Sequence, residues 1–159
     1  MNFSKTTKYG LLIALALIIY FVIIDFIGFG NESWLSFFNA AIVGFGLWQL
    51  IKKVYEEKRG QFKYMEGFTA SLTAGFIATT IFTVFMAIYL FEIHPELANE
   101  LKQQITIAGE GLEVALLLFV FLSGVATTIV ASLVILPIYK QSWNTKEIRS
   151  KQKPLNQQA

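Results

Sequence analysis

Four long apolar runs, 9–29, 34–51, 68–91 and 112–139, leave this chain few ways to fold. Covering ~30 Å of hydrocarbon takes about 20 residues of helix at a rise of about 1.5 Å each. The first run is broken only by Asp25, and the second is the shortest. The fourth carries Glu113 in its first turn and Pro137 near its end. Together they fill more than half of the 159 residues. Backbone polar groups in lipid must be satisfied internally, and alternating ten-residue strands are absent, so the runs are read as helices. A soluble bundle would need a polar face on each helix. Leu11 to Ile24 offers nothing polar except Tyr20.

The expected fold is therefore all-α: an integral membrane bundle of four transmembrane helices within residues 1–143. Residues 144–159 are read as a partly disordered cytoplasmic tail that opens on an approximate capping box, Asn144 with Glu147. Lys5 and Lys8 precede the first run as they would in a signal peptide. The run is too long for one, however, and no small-x-small site follows it, so it is expected to be a retained anchor.

Cations set the expected orientation. Lys5 and Lys8 lie before the first span, and Lys52, Lys53, Lys58, Arg59 and Lys63 lie between the second and third. Lys140, Lys146, Arg149, Lys151 and Lys153 follow the fourth, leaving only Lys102 of 13 basic residues on the other side. Both termini and the middle loop are thus expected in the cytoplasm. The basic loop would also face anionic headgroups. Trp34, Trp48, Tyr89, Tyr139 and Trp143 fall at span ends, where amphipathic rings are most stable.

The connections carry further signals. Gly30, Asn31, Glu32 and Ser33 form a tight outer turn, with Ser33 read as N-cap of the second helix. The second helix is expected to run past the membrane until Gly60 breaks it. In the second outer loop Pro95 opens a short amphipathic helix over about 95–107, with Leu97, Leu101, Ile105 and Ala108 on one face. It would lie on the outer headgroups or cap the bundle.

Small residues repeat every fourth position along the third span: Gly67, Ser71, Gly75, Thr79 and Thr83. The fourth span has Gly124, Thr128 and Ser132, and the second offers Ala40 and Gly44. Such faces let helix backbones approach closely. The simpler expectation is that spans three and four pack within one protomer, and the sharper one is contact with another subunit.

Chemistry-bearing residues are few. With no cysteine and one histidine, disulfides, thiolate metal sites and Cys nucleophiles are excluded. No phosphate-binding, zinc-protease, serine-elbow or dinucleotide motif is present. A net charge of +2 gives no field suited to nucleic acid. Asp25 breaks the first apolar run four residues from its outer end, only about 6 Å deep by helix rise. It is a candidate coupling carboxylate, or an interfacial group paired with a hydroxyl such as Thr83 or Tyr89. Asn39 needs a hydrogen-bond partner within the bundle. Glu110 and Glu113 suit a helix N-terminus. Glu92, His94 and Glu96 alternate like metal ligands, but a helix starting at Pro95 would splay them. No metal or cofactor is expected.

The segments Tyr64-Met65-Glu66-Gly67-Phe68, Gly75-Phe76-Ile77 and Ile93-His94-Pro95-Glu96, with Lys8-Tyr9-Gly10-Leu11 opening the first span, carry a resemblance across roughly residues 5–140. The chain resembles a bacterial membrane family of unknown function, domain of unknown function 4199, found mostly in Bacteroidota. The resemblance implies a four-span inner-membrane protein with no established activity, and it offers no catalytic residues to carry over.

The functional expectation is a non-enzymatic accessory or scaffolding subunit of a larger membrane complex, contacting other membrane subunits or itself. The alternative is a small homodimeric transporter or channel that uses Asp25 for coupling. A third reading is a headgroup enzyme acting through Glu92, His94 and Glu96.

Overall fold

The computed structural model describes residues 3–30, 32–58, 62–104 and 112–139. Among these there is no strand, and the fold is all-helical as expected. Five helices follow in order: α1 (Phe3–Phe26), α2 (Ser36–Lys58), α3 (Tyr64–Ile88), α4 (Pro95–Gln104) and α5 (Leu112–Ile135). A 3-10 turn (Ser33–Leu35) precedes α2, a single π turn (Tyr89–Ile93) follows α3, and a 3-10 turn (Leu136–Tyr139) follows α5.

Among the described residues, three segments are long and apolar enough to cross a membrane: Ser4–Phe26, Tyr64–Ile93 and Val114–Tyr139. They turn much of that apolar surface outward, with Leu12 59%, Phe119 64% and Val134 67% exposed. Outward-facing leucine and phenylalanine at this density fit a hydrocarbon surround. The expected span 34–51 is helical from Ser36, but α2 is less apolar. It carries Asn39 and Gln49 and runs on to Lys52, Lys53, Glu56, Glu57 and Lys58.

Several boundaries move for local reasons. The first apolar run continues to Phe29, yet α1 stops at Phe26. Gly28 adopts φ +88, the left-handed region, and its N–H bonds Asp25 O at 2.8 Å while Phe29 N–H bonds Ile24 O at 3.0 Å. These paired 5→2 and 6→1 bonds form a Schellman C-cap, which needs a residue free of Cβ strain at Gly28. Ser33, expected as the N-cap of α2, instead opens the 3-10 turn, and α2 begins at Ser36. Pro137 lacks the N–H that would continue α5, and the chain tightens into its last turn there. Helix α4 starts at Pro95, and Ile105 and Ala108 of the expected amphipathic face lie outside the described residues. The tail signals at Trp143, Asn144 and Glu147 lie outside them as well.

The bundle has two ends, here called the basic end (Lys5, Lys8, Lys52, Lys53, Lys63) and the far end (Asp25, Tyr89, His94). Near the basic end Leu47, Leu50, Ile51, Ala70, Ala74, Ile135 and Leu136 form a densely buried core. Near the far end a smaller cluster joins Met86 and Leu90 to Leu116 of α5 and Leu97 of α4. Leu97 is 4% exposed, so α4 caps the bundle with its apolar face inward.

Candidate functional site

Asp25 sits in the last turn of α1 with its side chain 7% exposed. The Schellman turn folds the following chain back over it. Gly30 passes so close to Asp25 Oδ1 that a Cβ at that position would overlap the carboxylate. Across the bundle, the Tyr89 hydroxyl donates to Asp25 Oδ2 at 2.5 Å. His94 Nδ1 lies 3.1 Å from the same oxygen. With Asp25 ionised, a carboxylate oxygen can only accept, so the imidazole then carries its proton on Nδ1.

The π turn is what makes this convergence possible. His94 N–H bonds Tyr89 O at 2.7 Å, an i→i+5 contact that widens the turn. In a regular α-helix residues five apart point to different sides. Here the two rings lie 6.3 Å apart in a T-shaped arrangement, and both reach the one carboxylate. Phe21 stacks edge-on to Tyr89 with ring centroids at 5.3 Å, fixing the phenol from the α1 side. His94 is 42% exposed, so the buried carboxylate meets solvent through one imidazole.

Tyr89 is one of the two hydroxyls expected to meet Asp25. The other, Thr83, has a buried Oγ1 with no hydrogen bond among the described residues. Sequence reasoning set His94 beside Glu92 and Glu96 and missed its contact with Asp25. Both glutamates are solvent-exposed, and no group of three or more metal-ligating side chains occurs among the described residues. The i, i+5 spacing of Tyr89 and His94 ahead of Pro95 was the available signal.

The small-residue stripes meet inside the protomer. Gly75 of α3 lies against Thr128 of α5, and Gly124 of α5 lies against Thr79 of α3. The contact is reciprocal: each glycine accepts a threonine from the facing helix, which lets the two backbones approach. Gly67 sits under Leu136 and Phe62, where an added Cβ would come within 2.6 Å of each. Ser71 and Ser132 are fully buried and donate to Gly67 O and Thr128 O, both at 2.7 Å. Thr128 donates to Gly124 O at 2.9 Å. These hydroxyls return to their own helix carbonyls and need no partner across the seam. Gly10, which sequence reasoning noted for the family resemblance and not for packing, gives the same close approach between α1 and Ala74 of α3.

From the Thr79–Gly124 contact toward the far end, the helices line a partly open cavity of about 400 Å³. Its walls are mostly apolar, with Asn39, Thr79, Ser123 and Thr127 contributing polar groups. Asn39 Oδ1 is buried, and the expected hydrogen-bond partner is not found among the described residues.

The basic-loop residues separate. Lys58 pairs with Glu66 at 2.6 Å, joining the end of α2 to the start of α3. Lys52 lies over the Trp48 ring at 5.9 Å, while Lys53 and Lys63 are exposed. Lys5 pairs with Glu57 at 2.5 Å and holds that carboxyl below its ordinary range. Arg59 and Glu110 lie outside the described residues, as does the side chain of Glu113.

The family model described as protein of unknown function, DUF4199, matches residues 8–135. The chain belongs to this family. No curated protein and no solved structure matches it. The DUF4199 segment runs from the first turns of α1 to the last residue of α5. It therefore contains Asp25, Tyr89 and His94 and both small-residue stripes.

Proposed function

We propose that the protein is a four-span, non-enzymatic subunit of the bacterial cytoplasmic membrane, with both termini inside, that supports a larger membrane assembly. Span two is the apolar part of α2, completed at its outer end by the 3-10 turn with exposed Trp34. The observation that carries the reading is the solid core near the basic end. Leu47, Leu50, Ile51, Ala74 and Leu136 are each no more than 1% exposed. Among the described residues that packing lies between the far-end cavity and the basic end, which argues against a path through one protomer. Asp25 is tied to Tyr89 and His94 of its own chain, which also argues against a path shared between two copies. The α3–α5 stripes are filled internally, so a partner would meet the outward apolar faces of α1 and α5 instead.

Mild-detergent purification followed by mass spectrometry tests this. A stoichiometric, unrelated membrane chain is the expected result, and a chain recovered only alone or as a homodimer overturns it. One observation favours the transporter reading: a half-exposed histidine touching a buried carboxylate offers a proton route from the far end. Proton-coupled uptake in vesicles that is lost in Asp25→Asn would establish that reading instead.

A further inference from the structure

An apolar groove of about 570 Å³ runs down the outside of the molecule between α1 and α2. Tyr9, Ile13 and Tyr20 form one wall, and Phe38, Phe45 and Gln49 the other. Tyr9 to Tyr20 and Phe38 to Gln49 are each twelve residues, and the eleven rises of about 1.5 Å between their ends make about 16 Å. That is half of a ~30 Å hydrocarbon core, the depth of one leaflet. A partner helix crossing the membrane would need a groove about twice as long; one acyl chain needs only this much.

The groove ends at the basic end, and its mouth is charged. One helical turn beyond Gln49 come Lys52 and Lys53, and one turn beyond Tyr9 comes Lys5, with Lys8 beside it. Lys5 is engaged by Glu57, and Glu56 is the other acid nearby. Lys8, Lys52 and Lys53 are exposed. An apolar trough of single-leaflet depth that opens at a cationic rim matches the two parts of an anionic phospholipid. The chain fills the trough, and the phosphate meets ammonium groups in a region where basic residues attract anionic headgroups.

We propose that this groove is a binding site for one anionic phospholipid of the leaflet at the basic end, with its headgroup held by Lys52 and Lys53. The placement in the cytoplasmic leaflet rests on the orientation given above; the site itself does not. Ala41 lines the groove and is exposed, so Ala41→Phe fills the trough without touching the core.

The test is native mass spectrometry of the purified full chain after incubation with phosphatidylglycerol or phosphatidylcholine at matched concentrations. One retained phosphatidylglycerol is expected. Lys52→Gln/Lys53→Gln should weaken its retention about 10- to 30-fold, toward that of phosphatidylcholine. Ala41→Phe should reduce retention of both lipids, and thermal melting of each variant confirms that it is folded. Equal retention of the two lipids, retention unchanged by Ala41→Phe, or a second copy of the chain crosslinking through the groove would each overturn the site. The measurement uses the isolated chain, so its failure leaves the co-purification result standing, and the reverse also holds.

Discussion

The Tyr89 hydroxyl and the Asp25 carboxylate, 64 positions apart, share a 2.5 Å hydrogen bond that ties the end of α1 to the π turn after α3. Asp25 is nearly buried, so each donor it holds offsets part of the cost of taking a carboxylate out of water. Among the described residues, removing the phenolic O–H leaves the His94 contact on Oδ2. Tyr89→Phe is expected to destabilise the protein by about 1–3 kcal/mol. His94→Ala should cost less, because that ring is 42% exposed. Reversible unfolding in mixed micelles measures both. A double variant that costs the sum of the two would mean that the donors act independently rather than on one oxygen.

Gly75 and Gly44 give opposite expectations from the same residue type. Gly75 is filled by Thr128, and Gly44 has nothing within 4 Å of where a Cβ would stand. Gly75→Leu should therefore force α3 and α5 apart at a cost of about 1–3 kcal/mol. Gly44→Ala should be neutral or stabilising by up to about 1 kcal/mol, since alanine is the better helix former. Comparison of their midpoints in one detergent checks the pair. An equal loss for both would show that the seam is no tighter than the outer face of α2.

The helices and the α3–α5 seam were legible because apolar length and four-residue spacing are written in the residues themselves. Hydropathy could not place the end of α1, since Ile27 and Phe29 are apolar on both sides of the turn at Gly28. The Asp25–Tyr89 pairing was open among two hydroxyls, because only the packing angle of α3 decides between Thr83 and Tyr89. The His94 contact with Asp25 was missed for a backbone reason. It depends on one widened turn, and helical periodicity assumes that turn is regular. The unpartnered Asn39 Oδ1 was likewise invisible, because a polar residue in sequence states a need without stating whether a neighbour meets it.

Topology can be tested cleanly because the chain has no cysteine of its own. Single replacements Lys58→Cys and Asn99→Cys put one thiol at the end of α2 and one on α4. With both termini and the α2–α3 loop in the cytoplasm, an impermeant maleimide added to intact cells should label the Asn99→Cys protein. The Lys58→Cys protein should be labelled only after permeabilisation. Labelling of Lys58→Cys in intact cells would invert the orientation and place the lipid groove in the opposite leaflet.

The Lys5–Glu57 pair joins the first turn of α1 to the last turns of α2 and carries a pH signature. The Lys5 ammonium, chiefly by donating a hydrogen bond to the carboxylate, holds Glu57 below its ordinary value of 4.5. A depressed folded-state value means that the unfolded chain takes up the proton first as pH falls. The pair's contribution is thus fully present above about 4.5 and fades as pH drops below it toward the folded-state value. Both side chains are more than a third exposed, so the effect is small and salt-sensitive. Melting of the parent and Glu57→Gln should differ slightly at neutral pH in low salt, with the parent higher, and converge in acid. A gap that persists unchanged below the carboxylate range, or that ignores added salt, would show that Glu57 acts through packing of its methylenes and not through its charge.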